Sequence, residues 1–149
     1  MLSKSSVYGI RASLYLAAHN RGQYNSIREV SEELDISFHF LTKILQNLTA
    51  DNLMESYKGP NGGIRLSAKG RKATLLDVVI AIDGPDLFVE CALGLPGCGS
   101  SDPCPLHNNW AMVREGIKDM LARTTLEEMA KEGKANKFRI TPDGHFSWQ

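Results

Sequence analysis

Apolar residues recur at helical spacing through the first third of the chain. Val7, Ile10, Leu14, Ala17 and Ala18 define one face of a helix over residues 5–20, with Ser5 or Ser6 as its cap and Gly22 just beyond its end. In the next segment, SIREVSEELDIS, Ile27, Val30 and Leu34 share a face, and Ser26 followed three residues later by Glu29 has the pattern of a capping box. After a short break at Asp35–Ile36, Ser37 caps a third helix, SFHFLTKILQNLTADNL. There Phe40, Leu41, Ile44, Leu45 and Leu48 point inward, while His39, Thr42, Lys43, Gln46 and Asn47 face solvent. Two short helices joined by a tight turn predict a helix-turn-helix, the arrangement whose second helix enters the DNA major groove.

The period then changes. Leu53-Met54-Glu55-Ser56-Tyr57 reads as a strand, Lys58 to Gly63 as a turn and Ile64-Arg65-Leu66 as the returning strand. Asn-Gly between two apolar runs is a strong hairpin signal, so a basic wing follows the helix pair. Helix-turn-helix geometry also occurs in proteins that bind no DNA, and exposed polar helix faces are commonly just solvated. The wing, its lysine and the polar face of the third helix together favour DNA. Thr74-Leu75-Leu76-Asp77 opens a capped helix reaching about Ile82, stopped by Asp83-Gly84-Pro85. Beyond a loop over 84–107, Asn108 or Asn109 starts a long helix with Trp110, Val113, Ile117, Met120 and Leu121 on one side. Thr124-Thr125-Leu126-Glu127 caps a last short helix, TLEEMAK.

The expected fold class is therefore mainly α with a small β-hairpin wing: a winged helix-turn-helix domain over 1–73, then a linker helix, loop and dimerisation helix over 74–131. The long amphipathic helix pairs most simply with its twin in a homodimer, with packing on its own domain competing for part of that face. Residues 132–149 are expected to be poorly ordered, with Phe138, Ile140, Phe146 and Trp148 available as anchors.

Composition narrows the class. At 149 residues, 42% hydrophobic and 23% charged, the chain suits an ordinary soluble globular protein with a real core. No apolar run approaches the roughly 18–20 residues of a membrane span, and the N-terminus lacks a clean signal-peptide core, which predicts a cytoplasmic protein without membrane partners. The net charge of zero hides an asymmetry: residues 1–72 carry ten Lys/Arg against six acids, +4, and the remainder carries −4. A basic first half suits a polyanion. Accordingly His39, Thr42, Lys43 and Gln46 are expected to face double-stranded DNA, with Ser37 and Phe38 near the helix entry. Gln46 suits adenine, and Lys43 suits guanine or phosphate. Lys58, Gly59, Pro60, Asn61, Gly62, Gly63 and Arg65 of the wing are expected along the minor groove and backbone, the glycines permitting close approach. Lys4 and Tyr8 on the first helix are expected phosphate contacts. Lys69, Arg71 and Lys72 read as a solvated basic run.

All three cysteines, Cys91, Cys98 and Cys104, fall in ECALGLPGCGSSDPCPLH, with His107 behind the last. A Gly-, Pro-, Ser- and Asp-rich loop cannot bury enough apolar surface to order itself. Thiolates and an imidazole suit an iron–sulfur cluster, zinc or copper, and in a reducing compartment clustered cysteines favour metal or redox chemistry over structural disulfides. Empty thiols can act as a reversible redox switch, and control by a bound partner protein is a further reading. An enzyme is disfavoured: the chain has no phosphate loop and no nucleophile elbow, and only Glu90 or Asp102 is placed to serve as a base beside a metal.

These segments together resemble a family of bacterial winged-helix regulators that includes the iron–sulfur cluster regulator IscR, the nitric-oxide sensor NsrR and the cysteine-metabolism repressor CymR. The resemblance is carried by Tyr8 on the first helix, DISFHFLTKILQNLTADNLMES, KGPNGGIRLS, LLDVVIAIDGP, the cysteine loop, CPLHNNW and TTLEEMA, about residues 1–131. It implies a homodimeric DNA-binding regulator, more often a repressor, whose operator binding answers to iron–sulfur status, redox state or nitric oxide. Cys91, Cys98, Cys104 and His107 match the ligand pattern of IscR-like members, with six residues between the first two cysteines where the closest pattern has five. The implied cofactor is a 2Fe–2S cluster, with a 4Fe–4S cluster or Cys3His zinc as alternatives. His107 has two readings, fourth ligand or packing residue at the start of the long helix.

Overall fold

In the computed structural model, which describes residues 2–19, 22–99 and 101–144, the chain begins with α1 (Lys4–His19), α2 (Ile27–Leu34) and α3 (Phe38–Ala50). The hairpin β1 (Met54–Tyr57) and β2 (Gly63–Leu66) follows, then a single-turn α4 (Ala68–Arg71) and α5 (Leu75–Asp83). A 3-10 turn at Asp86–Phe88 opens the cysteine loop, and α6 (His107–Arg123) and α7 (Leu126–Asn136) complete the described fold.

Local chemistry explains most of these boundaries. Ser3, rather than Ser5 or Ser6, caps α1, its hydroxyl accepting the Ser6 N–H at 3.0 Å. Ser6 is itself fully buried. Asp35 ends α2 in the left-handed region (φ 51°), which a short polar side chain tolerates, and buried Ile36 returns its N–H to the Ser31 carbonyl at 2.9 Å. Ser37 then caps α3 as expected. The capping box expected at Ser26 is absent: its side chain makes no cap hydrogen bond. Entry into α2 is set instead by tertiary pairing, because Asn25 and Ile64 exchange backbone hydrogen bonds of 2.9 and 2.8 Å that splice this segment onto β2. At α5 the reciprocal box between Thr74 and Asp77 does form.

The two wing strands pair antiparallel from Met54↔Leu66 to Tyr57↔Gly63. Met54, Ile64 and Leu66 point into a core that also holds Leu16, Val30, Leu34, Leu41, Ile44, Leu45, Leu48 and Val78. The basic run 69–72 is more structured than expected. Ser67 caps α4 through the Gly70 N–H (2.9 Å) and donates to the Asn52 carbonyl (2.6 Å). A Cβ on Gly70 would stand 1.8 Å from the Leu53 carbonyl oxygen, so only glycine allows this turn to rest on β1's lead-in.

The helix expected as TLEEMAK extends to Asn136, because Leu126, Ala130 and Gly133 continue a buried face that packs on α1. Residues 132–136 are thus helical, where an unordered tail was expected. Beyond them Ile140 packs against the core, whereas Phe138 is mostly exposed; Phe146 and Trp148 lie outside the described residues. The starts of α5 and α7 are joined by a Thr74↔Thr125 bridge, with Leu75 N–H donating to the Thr124 carbonyl and Leu126 N–H to that of Ala73. By contrast α6 packs mainly on α5 and the 3-10 turn, and begins at His107, a residue or two earlier than expected. Leu121 is 1% exposed, yet Met112, Val113 and Met120 are 76%, 54% and 59% exposed.

Candidate functional site

The outer face of α3 carries His39, Lys43 and Gln46 exposed, with Thr42 partly so. Thr42 donates its hydroxyl proton to the Phe38 carbonyl at 2.8 Å, leaving its methyl and oxygen lone pairs to the surface. The Ser37 hydroxyl accepts the Phe40 N–H at 3.5 Å, a long bond, so its remaining valences stay open at the α3 entry. Phe38 is half-buried beneath a guanidinium: Arg28 lies 4.6 Å over its ring. Arg28 was not singled out from the sequence, although an exposed arginine one residue into α2 was a readable signal. Tyr8 stands where α1 meets α3, edge-on to Phe40 at 5.6 Å, with Lys4 and Arg11 at 5.6 and 5.7 Å from its ring.

Wing and recognition helix share a groove of about 490 Å³ in which Thr42 and Gln46 face Tyr57 and Lys58. Tyr57, missed in the sequence, stacks obliquely on Tyr24 at 5.6 Å and leaves over half its surface open. Lys58, Gly59, Pro60 and Asn61 are exposed at the tip, which closes through the Gly62 N–H and the Gly59 carbonyl at 3.0 Å. The wing's glycines and its arginine also have roles within the protein. Gly62 and Gly63, expected to permit close approach to DNA, are also required to be small by the protein's own backbone. A Cβ on Gly62 would lie 2.2 Å from the Tyr57 carbonyl oxygen, and one on Gly63 (φ 152°) 2.0 Å from that of Asn25. Arg65 was expected on the phosphate backbone. In the protein alone its guanidinium binds Glu55 (2.9 Å) and the Gly22 carbonyl (2.9 Å) and lies 4.4 Å over Tyr24, fastening the wing to the α1–α2 connection.

The cysteine loop is held at both ends. Buried Phe88 fixes its start, and α6 grips it from the other side: Trp110 Nε1 and Arg114 Nη1 both donate to the Glu90 carbonyl, at 2.8 and 3.0 Å. The His107 N–H donates to the Cys104 carbonyl at 3.0 Å. All three cysteines are free thiols and half-buried. The four soft donors form two close pairs, Cys91 Sγ to Cys104 Sγ at 3.5 Å and Cys98 Sγ to His107 Nδ1 at 3.5 Å. Two donors on one tetrahedral metal, each about 2.0–2.3 Å from it, stand roughly 3.5–3.8 Å apart, so each pair matches one edge of such a site. Among the described residues no group of three or more His, Cys, Asp or Glu is gathered to hold one metal ion. A concavity of about 530 Å³ lies between Cys91 and Cys98, floored by Gly94, Pro96 and Gly97.

Electrostatics separates the thiols. The backbone N–H groups of Leu93 (3.4 Å) and Leu95, with lesser hydrogen bonds from Cys104 and Cys98, hold the Cys91 thiol below the ordinary thiol range. Burial, and then the bond to Cys91, pushes Cys104 up. Cys91 is therefore the readier thiolate. Three thiols and an imidazole are donor types that suit an iron–sulfur cluster or a soft metal ion.

Comparison with known proteins agrees with this architecture. A family model described as Rrf2, iron-dependent transcriptional regulator, matches residues 2–132. The HTH-type transcriptional regulator IscR of Xenorhabdus nematophila is 28% identical over 130 residues, 87% of this chain and 79% of that protein. The structure of CymR, the global cysteine regulator of B. subtilis, superposes with a TM-score of 0.74 at 23% identity over 89% of this chain and 97% of that one. T. potens IscR superposes with a TM-score of 0.73 at 22% identity, covering 93% and 91%. No helix among the described residues is long and apolar enough to cross a membrane. These relatives are transcription regulators rather than enzymes, and the chain belongs to the Rrf2 family of winged-helix, DNA-binding transcriptional regulators.

Proposed function

We propose that this regulator binds a pseudo-palindromic operator as a homodimer, under the control of a 2Fe–2S cluster held by Cys91, Cys98, Cys104 and His107. The observation that carries the reading is the arrangement of four soft donors in two 3.5 Å pairs. Three thiols and one imidazole gathered this closely make a ligand set for such a cluster. When bound, such a cluster supplies a one-electron redox couple and iron open to exchange. The chain's own part is to order the loop. Its Gly-rich stretch gains fixed partners at Cys91, Cys98 and Cys104, and that order is passed to α6, whose first residue is His107.

On the DNA side His39, Thr42, Lys43 and Gln46 are assigned to the major groove, Ser37 and Phe38 to its entry, and Lys4 and Tyr8 to phosphates. Lys58 to Asn61 are assigned to the minor groove, with Gly62, Gly63 and Arg65 shaping the wing that presents them. Successive half-sites one helical turn apart, about 34–36 Å, require two copies of α3. The exposed Met112, Val113 and Met120 of α6 are the apolar face available to pair those copies.

A thiol switch is the second reading, favoured by the Cys91–Cys104 contact: a two-electron oxidant such as a peroxide would take both electrons, the two thiol protons would be lost, and the sulfurs would close from 3.5 Å to about 2.05 Å as a disulfide. Anaerobic purification separates the readings. Coloured protein with stoichiometric iron and sulfide, bleached by Cys98→Ala with a parallel change in operator affinity, is the expected result. Colourless protein carrying zinc, or carrying nothing, would overturn the cluster.

A further inference from the structure

His107, Trp110 and Arg114 stand at i, i+3 and i+7 on α6 and so form one stripe over the cysteine loop. His107 has a role in the proposed ligand set; Arg114 has none. Yet Arg114 is half-buried on a helix whose flanking Val113 and Glu115 are exposed, and a single nitrogen, Nη1, reaches the Glu90 carbonyl at 3.0 Å and the Cys98 sulfur at 3.5 Å.

We infer that Arg114 is the positioning residue of the cysteine site: it clamps the residue before Cys91 and the Cys98 sulfur to one guanidinium, presetting the loop for its cluster. The inference rests on the cysteine loop being the sensory site. A guanidinium stays protonated at any physiological pH and presents several donors in a rigid plane, so it serves a carbonyl and a sulfur at once, which a lysine ammonium on a flexible stem does poorly. The clamp spans residues 91–98, which include Gly94 and Gly97 at φ 72° and 71°. Trp110 shares the Glu90 carbonyl at 2.8 Å, so the near end is doubly held, while at Cys98 the guanidinium acts beside His107 Nδ1, also 3.5 Å from the sulfur. The bond has an electronic consequence as well. A sulfur that accepts a charged hydrogen bond donates less electron density to a metal, and hydrogen bonds to ligand sulfurs are a principal control of cluster potential. Cys98 receives a cationic donor, whereas Cys91 receives the neutral backbone N–H of Leu93.

The test compares the full chain with Arg114→Ala, Arg114→Lys and the control Lys118→Ala, an exposed cation on the same helix. In metal-free protein, hydrogen exchange over residues 91–98 is expected to quicken in Arg114→Ala, with far-UV dichroism unchanged. Titration with Co²⁺ alone, read by thiolate-to-metal absorbance, is expected to show about 10–100-fold weaker binding, with Arg114→Lys intermediate and Lys118→Ala like the parent. Reconstituted Arg114→Ala is expected to have a more negative midpoint potential. Unchanged loop exchange together with unchanged Co²⁺ affinity would overturn the inference. If the parent takes up neither Co²⁺ nor iron, the sensory-site reading fails instead, and the exchange measurement still decides the clamp.

Discussion

Asp83, the last residue of α5, accepts a 2.6 Å hydrogen bond from the Ser6 hydroxyl of α1. The same carboxylate oxygen accepts the hydroxyl of Ser3, the α1 cap. An acid at a helix C-terminus faces the negative end of its own dipole, so its location there is explained by the neighbouring helix, whose positive end it meets. The cysteine loop begins one residue later, at Gly84, and α1 carries Lys4 and Tyr8. The Asp83 carboxylate is therefore a polar link, added to the packing of α5 on α1, between the start of the loop and a proposed DNA-contacting helix.

Removing that carboxylate in Asp83→Ala is expected to lower stability by about 1–2 kcal/mol in urea unfolding, the range for a partly exposed bond to a charged group. Asp83→Asn, which keeps an acceptor oxygen, should lose less. Identical unfolding midpoints for all three proteins would show that the junction contributes nothing.

The wing separates shape from contact. Gly63→Ala forces a Cβ to 2.0 Å from the Asn25 carbonyl at φ 152°, so about 2–4 kcal/mol of stability and the wing register should be lost together. Asn61→Ala at the exposed tip should leave the melting temperature within a degree or so while weakening operator binding. Calorimetry and fluorescence anisotropy on the same samples distinguish the two effects.

On the recognition face, Gln46→Ala should relax preference at one base position by about 1–3 kcal/mol, measured by competition among single-base operator variants. Lys58→Ala should weaken binding to all sequences alike and reduce the slope of log K against log salt by about 1. A sequence-dependent loss at Lys58, or a uniform one at Gln46, would reverse the assignment.

The thiols are expected to alkylate unequally in metal-free protein. Backbone N–H donors hold Cys91 below the usual thiol range, while burial raises Cys104, so Cys91 carries more thiolate near neutral pH. Timed iodoacetamide labelling followed by peptide mass spectrometry should find Cys91 modified before Cys104. Equal rates at the two sites would contradict the asymmetry.

The α6 face supplies the last test. Val113→Glu with Met120→Glu places two charges among exposed apolar side chains, and light scattering should then report a monomer where the parent is a dimer, with helicity preserved. A parent that is already monomeric would remove the homodimer reading.

Much of this fold is written in local pattern. The spacing of Leu41, Ile44, Leu45 and Leu48 dictates which face of α3 is buried, and hence that His39, Lys43 and Gln46 are exposed, because helix periodicity needs no knowledge of the rest of the chain. The capping box at Thr74–Asp77, the stop at Gly84 and the hairpin after Tyr57 are equally local, as is the clustering of three thiols and His107. Tertiary structure decided everything that depends on what a side chain meets across the core. It overrode the Ser26 box through the Asn25–Ile64 pairing, and gave Arg65 a tether to Gly22 that no spacing foretold. It extended α7 along the buried line of Ala130 and Gly133, and made Gly62, Gly63 and Gly70 small for the sake of nearby carbonyls. The 3.5 Å pairing of Cys91 with Cys104 and of Cys98 with His107, and the Arg114 clamp over them, belong to the same class. Such contacts join residues far apart in the chain, and their partners are selected by packing rather than by spacing.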